Sequence, residues 1–213
     1  GSDRQVYVGG TSDLGFLETD KNGKLSFHSL LSLLPDSARS FNEVWKTISF
    51  DNRIYFLTAK ALYVYDYSTI TVIKPQKKVF FFFFIVEKTL FLFENEVGLL
   101  QVTVEIVKRI SDHSVFMKEE IPFGFKTKTG RTILISESKG LFEFKNNIPV
   151  FLDSPASAYL KKFKSYIQPV LLSNGNIAIP TIRGGVLIID QEGNIVFVLS
   201  EKQGLPSNIV YSV

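Results

Sequence analysis

Five times along the chain a short apolar strand, a turn and a second apolar strand recur around one small anchor residue: DLGFL, KALYV, VGLLQV, KGLFEF and GGVLII. The anchors are Gly15, Ala61, Gly98, Gly140 and Gly185, spaced 37–46 residues apart. A period of about 40–50 residues with several short strands per unit is the pattern of a β-propeller, in which each repeat supplies one four-stranded blade. The second repeat shows the template: VWKTISF, RIYFLT, ALYVYD and TITVIK are rich in β-branched and aromatic residues, and turn formers bound them. The pattern predicts an all-β chain of about five four-stranded antiparallel blades in a single domain over residues 1–213.

The ends of the chain extend this reading. The first repeat begins at what is elsewhere a second strand, Gln5–Gly9, and a strand-like segment follows the fifth repeat at Asn208–Val213. This predicts that the N- and C-terminal strands share one blade; the alternative is an open arc of a larger propeller. Two longer connectors, Leu31–Asn42 and Ser154–Ser165, join successive blades. Ser154-Pro155 with Tyr159, Leu160 and Phe163 predicts a short helix in the second.

Composition excludes several classes of function. With 24 basic and 21 acidic residues the net charge is only +3, which gives no nucleic-acid footprint. The absence of cysteine removes disulfides, zinc–thiolate sites and cysteine nucleophiles together. No signal peptide is read at the start of the sequence, where Gly1-Ser2 looks like a remnant of expression, so any native leader would have been cut away. The run VFFFFFIV at 79–86 is too short to span a bilayer as a helix and reads as a strand buried on both faces.

Catalytic readings fare poorly. Glycosidases on propeller scaffolds need a pair of carboxylates facing the site, yet the five first-strand segments contain neither Asp nor Glu. His28 and His113 are single and far apart in the repeat frame, which favours packing or surface roles over metal ligation. No catalytic metal or cofactor is implied. Trp45, on a first strand, reads as core. A ligand surface would be built from the loops between second and third strands, whose polar residues Thr11, Asp13, Lys60, Glu96, Glu137, Lys139 and Arg183 suit hydrogen bonding to a sugar or other small polar ligand.

The last repeat carries the most specific motif. Gly185, Asp190, Gly193, the run Gly204-Leu205-Pro206-Ser207-Asn208 and Val210 resemble the two-component regulator propeller repeat, and the opening YVGGTSDLGFLETDKNGKLSF looks similar. Elsewhere Gly-Leu-Pro does not recur and Ala61 replaces the usual glycine. The resemblance implies a non-catalytic, extracytoplasmic sensor of a bacterial transmembrane regulator, responsive in many such proteins to polysaccharide fragments. It also implies signalling through downstream domains of the same polypeptide, membrane attachment only through segments absent here, and room for a homodimer. A propeller that scaffolds protein–protein contacts is the competing class, and a glycan-active hydrolase a weaker third. Gly204 and Pro206 read as fixing a sharp loop rather than touching ligand.

Overall fold

The computed structural model describes residues 5–103, 106–117, 120–165 and 167–211. These form five antiparallel sheets, each a meander in which sequence neighbours pair. The first holds β1 (Val6–Gly9), β2 (Leu14–Thr19) and β3 (Leu25–Ser29); the second β4 (Lys46–Phe50), β5 (Arg53–Leu57), β6 (Leu62–Tyr65) and β7 (Ile70–Ile73). The third holds β8 (Phe80–Val86), β9 (Thr89–Glu94), β10 (Gly98–Val102) and β11 (Val107–Ser111). The fourth holds β12 (Phe123–Lys126), β13 (Thr132–Ser136), β14 (Gly140–Lys145) and β15 (Ile148–Leu152), and the fifth β16 (Val170–Leu171), β17 (Ile177–Pro180), β18 (Val186–Ile189) and β19 (Ile195–Leu199). The fold is all-β, with the blade pattern of a β-propeller.

The chain divides into two compact units, residues 1–81 and 82–213. The first packs Leu14, Leu34, Phe41, Ile54, Phe56 and Tyr63 into one core. In the second, Ile133, Ile135, Leu141, Leu160, Ile177 and Leu187 do the same. The middle strands are buried on both faces: every residue of β6 and β17 is buried, as is each of β5 after Arg53. Continuous apolar runs therefore replace polar–apolar alternation.

The anchors have a steric cause. A Cβ on Gly15 would collide with the carbonyl oxygen of His28, and one on Gly185 with that of Leu199. The third strand of a blade starts where the fourth ends, and the backbones approach too closely there for a side chain. In the second repeat Ala61 takes this place, buried at 2% exposure.

A second device recurs four residues, or three, before the anchor. Thr58 Oγ1 accepts hydrogen bonds from Ala61 N and Lys60 N, Ser136 Oγ from Ser138 N and Lys139 N, and Thr181 Oγ1 from Gly184 N. Each hydroxyl is buried and ties down the backbone of its own hairpin. Glu94, also fully buried, holds the corresponding place in the third blade, where its carbonyl accepts from Val97 N. At the opposite hairpins Asp20, Asp66 and Asp190 serve similarly. The N–H groups of Thr69 and Ser68 hold the Asp66 carboxyl below its ordinary pKa.

Both connectors pack as small elements. The helix α1 (Pro155–Phe163) is capped by Ser154, whose Oγ accepts from Ser157 N at 3.1 Å, with Lys161 and Lys162 in its last turn. Leu31–Leu33 and Asp36–Ala38 form short 3₁₀ turns. Arg39 locks this connector: its guanidinium donates to the carbonyls of Leu31 and Leu34 and pairs with Asp36 at 2.8 Å.

Three expectations are corrected. β8 is not buried on both faces throughout: Phe80, Phe83, Phe84 and Val86 are buried, but Phe81, Phe82 and Ile85 are partly exposed. The fifth blade's first strand shrinks from the expected Ile167–Ser173 to Val170–Leu171: Pro169 has no N–H to give a ladder before it, and after it Leu172 already closes the turn, with its N–H on Asn176 O and its carbonyl accepting from Gly175 N. The Asn208–Val213 strand that was to complete the first blade does not form over Asn208–Tyr211, while Ser212 and Val213 lie outside the described residues. The first sheet accordingly has three strands among the described residues. The backbone groups required for a strand are used elsewhere: Asn208 O accepts from Gly185 N at 2.9 Å, and Val210 N donates to Thr181 O at 3.2 Å.

The Gly-Leu-Pro motif is what brings that segment there. Ser200 and Gln203 form a capping box around the turn Glu201–Gln203, and Gly204 ends it in the left-handed region at φ 100°. Asn208 Oδ1 then accepts from Glu201 N, and Asn208 N donates to Glu201 Oε1. The motif thus serves a fold-back of the chain onto the fifth blade.

Within the second unit, Arg131 clamps adjacent blades. It meets Glu192 at 2.7 Å and Glu143 at 3.5 Å, and the hydrogen bond to Glu192 raises its pKa. Because all three groups remain partly exposed, Arg131→Met is expected to cost only about 1 kcal/mol. The loss should shrink in molar salt when the urea midpoints of the two proteins are compared.

Candidate functional site

The seven loop residues singled out from the sequence do not form one site. Thr11, Asp13 and Lys60 belong to the first unit, and Glu96, Glu137, Lys139 and Arg183 to the second. Several are engaged in holding their loops. Asp13 Oδ1 accepts from Leu14 N and from Ser29 Oγ, both at 2.7 Å. Glu137 uses its carbonyl to receive Ser165 N and its N–H to reach Glu120 O. Lys139 N is bound by Ser136 Oγ. Glu96 sits at a hairpin position with φ 63°. Arg183 is exposed beside Gly184, whose carbonyl accepts the Tyr159 hydroxyl at 2.6 Å.

Lys60 differs, because it lines a cleft. Together with Thr58 and Ala59 it forms one wall of a depression of about 220 Å³; Phe41, Asn42, Glu43 and Trp45 form the rest. The cleft exists because the first connector must return over the second sheet. Phe41 is buried at 3% exposure with its ring 5.2 Å from that of Tyr63, which pins the connector's end. From there Val44 N donates to Gly10 O and Trp45 N to Leu57 O, so the chain enters β4 across the hairpin mouth. Thr11 reaches the same neighbourhood by a bridge to Glu43. The structure thus gathers Thr11 and Lys60, of the seven, around one feature.

Trp45 corrects the sequence reading. It is not core: it is 46% exposed, with its ring 6.2 Å from Phe81 at an interplanar angle of 20°. A half-exposed aromatic ring stacked beside another and lining a largely apolar cleft with polar groups at its edge can serve as a platform for the apolar face of a sugar ring or similar ligand. Asn42, Glu43 and Lys60 offer amide, carboxylate and ammonium groups at its edge. Asn42, Glu43 and Phe41 were missed because they sit in a connector rather than a hairpin. A signal was available: the chain's one tryptophan closely follows that connector.

The neighbouring Lys46 carries a titration signature. Burial lowers its pKa from 10.5 to about 8. Below pH 8 both folded and unfolded chains hold this proton, and the burial penalty is constant. Between pH 8 and 10.5 the unfolded chain binds more protons, so this group makes stability rise with pH. Buried Tyr55 and Tyr63, whose pKa values burial raises, act oppositely above pH 10. The stability difference between Lys46→Met and wild type should therefore shrink from pH 7.5 to pH 10, with the variant favoured at the lower pH; urea midpoints across that range measure it.

The two histidines have structural surroundings. His28 stacks on Phe16 with centroids 5.2 Å apart and lies 3.0 Å from Glu18, and His113 Nδ1 accepts from Val115 N.

No protein family matches the sequence, and no curated protein does. Solved structures match in fold. The chain is similar to the extracellular domain of a hybrid two-component system from B. thetaiotaomicron, with TM-score 0.63 and 13% identity over 91% of this chain. It spans only 29% of that domain. It is similar to the WD40 propeller domain of Doa1, with TM-score 0.64, 13% identity and coverage of 96% of this chain and 66% of that one. Virginiamycin B lyase from Staphylococcus aureus also matches, at TM-score 0.57 and 11% identity over 89% of this chain and 64% of the lyase. At such identities these likenesses concern the fold alone: the chain folds as a β-propeller.

Proposed function

We propose that this chain is a non-catalytic, ligand-recognising propeller from the extracytoplasmic part of a bacterial two-component-type regulator, and that its Trp45 cleft takes a small polar ligand with one apolar face, such as a sugar. The observation carrying this reading is Trp45: half-exposed, backed by Phe81 and bordered by Lys60 and Glu43. The motif from Gly185 to Val210 and the fold likeness to a two-component extracellular domain support the signalling context. The first strands β4, β8, β12 and β16 carry no carboxylate, which favours recognition over glycoside hydrolysis. Transmission would fall to further domains of the regulator.

Since Trp45 is the single tryptophan, its fluorescence reports the cleft directly. Titration with a panel of neutral oligosaccharides is expected to change that emission saturably for at least one of them. By calorimetry, Trp45→Ala should weaken binding of the same ligand at least tenfold, from the loss of about 1.5 kcal/mol of aromatic contact. Undiminished binding by that variant would remove the cleft from the account.

A further inference from the structure

A second cleft lies on the other side of Lys60 in the first unit, also of about 220 Å³, and its lining has a different chemistry. Lys60 and Lys74 bring two ammonium groups to it, Ser37 and Ser40 two hydroxyls, and the floor is Tyr63 and Val72. Among the described residues no carboxylate lines it. The nearest acidic residue in sequence, Asp36, is held by Arg39 at 2.8 Å. That pair and the burial of Ala38 leave the flanking Ser37 and Ser40 on the exposed side of the turn. Tyr63 is fixed below by its hydroxyl bond to Ala38 O at 2.8 Å. The side chains of Lys60, Lys74, Ser37 and Ser40 make no hydrogen bond or ion pair to any described residue.

We infer that this cleft binds a tetrahedral oxyanion, the phosphate or sulfate group of a small monoester. Two positive charges without internal partners set a field that favours an anion. Hydroxyls donate to oxyanion oxygens without adding charge, and the partly exposed Val72 offers apolar surface to the carbon skeleton next to the ester. The binding is electrostatic and should weaken with ionic strength. It is independent of the Trp45 platform, although Lys60 borders both clefts.

The test is calorimetric titration of the whole chain in low salt with glucose 6-phosphate, glucose 6-sulfate, inorganic phosphate, inorganic sulfate and glucose. At least one ester should bind without competition from glucose, and Lys74→Gln should weaken that binding about tenfold. Trp45→Ala and the remote exposed Lys24→Gln should leave it unchanged, which separates this site from the cleft proposed above. Free anions binding as tightly as the esters would support the site and identify the bare oxyanion as its ligand. Absence of binding by every anion, or equal weakening by Lys24→Gln and Lys74→Gln, would overturn it.

Discussion

Replacing Phe83 by alanine is expected to destabilise the protein by about 3–5 kcal/mol, among the largest losses any single truncation here should cause. Phe83 is 0% exposed in β8, where its neighbour Phe84 stacks on Phe91 with centroids 5.4 Å apart. Packing is tight enough in this region that a Cβ on Gly124 would lie 2.7 Å from the Phe84 ring. Little collapse into the vacated space is available, so both the transfer and the cavity components should be felt. The same truncation at the partly exposed Phe82 should cost less than half as much. Urea denaturation of both variants gives the comparison, and equal losses would mean that the two faces of β8 are packed alike.

Gly185→Ala is the second large effect. Two costs add there: a positive φ of 77° and a Cβ driven into the Leu199 carbonyl oxygen. The first alone is worth about 1–2 kcal/mol. The second requires the backbones of β18 and β19 to part, so a total above about 3 kcal/mol is expected. Gly23→Ala separates the terms, since Gly23 has φ 81° with nothing within 4 Å of its Cβ position. Thermal or urea unfolding should show Gly23→Ala losing about 1 kcal/mol and Gly185→Ala at least twice that. Equal losses would show that the anchor glycines serve conformation only, not close approach.

The blades were legible in the sequence because their determinants are local. Apolar runs such as RIYFL and TILIS, turn residues such as Asn146-Asn147, and the anchor glycines each act over a few positions. The helix at Ser154-Pro155 was legible for the same reason. What was not legible depended on tertiary placement. Whether Phe81 and Phe82 are covered depends on what packs against β8, which a run of five phenylalanines does not encode. The Asn208–Tyr211 segment has strand-forming residues, but the Gly185 and Thr181 backbone groups claim it first. The hairpin residues looked like a ligand surface because they are polar. Asp13 shows the other use of polarity: it closes its own loop. Trp45 misled because its neighbours in sequence are strand-like, while its exposure depends on where the preceding connector packs, and Phe41, Asn42 and Glu43 line the cleft beside it.

The most direct test of the account is the indole N–H of Trp45, which gives a single side-chain resonance in a ¹⁵N-labelled sample. On titration with the oligosaccharide that changes tryptophan fluorescence, the Trp45 indole and the backbone amides of Asn42, Glu43 and Lys60 should shift together, with one dissociation constant. The amides of Glu96, Lys139 and Arg183 should remain in place. A ligand that shifts those three amides while leaving the Trp45 indole unmoved would contradict the assignment of recognition to this cleft.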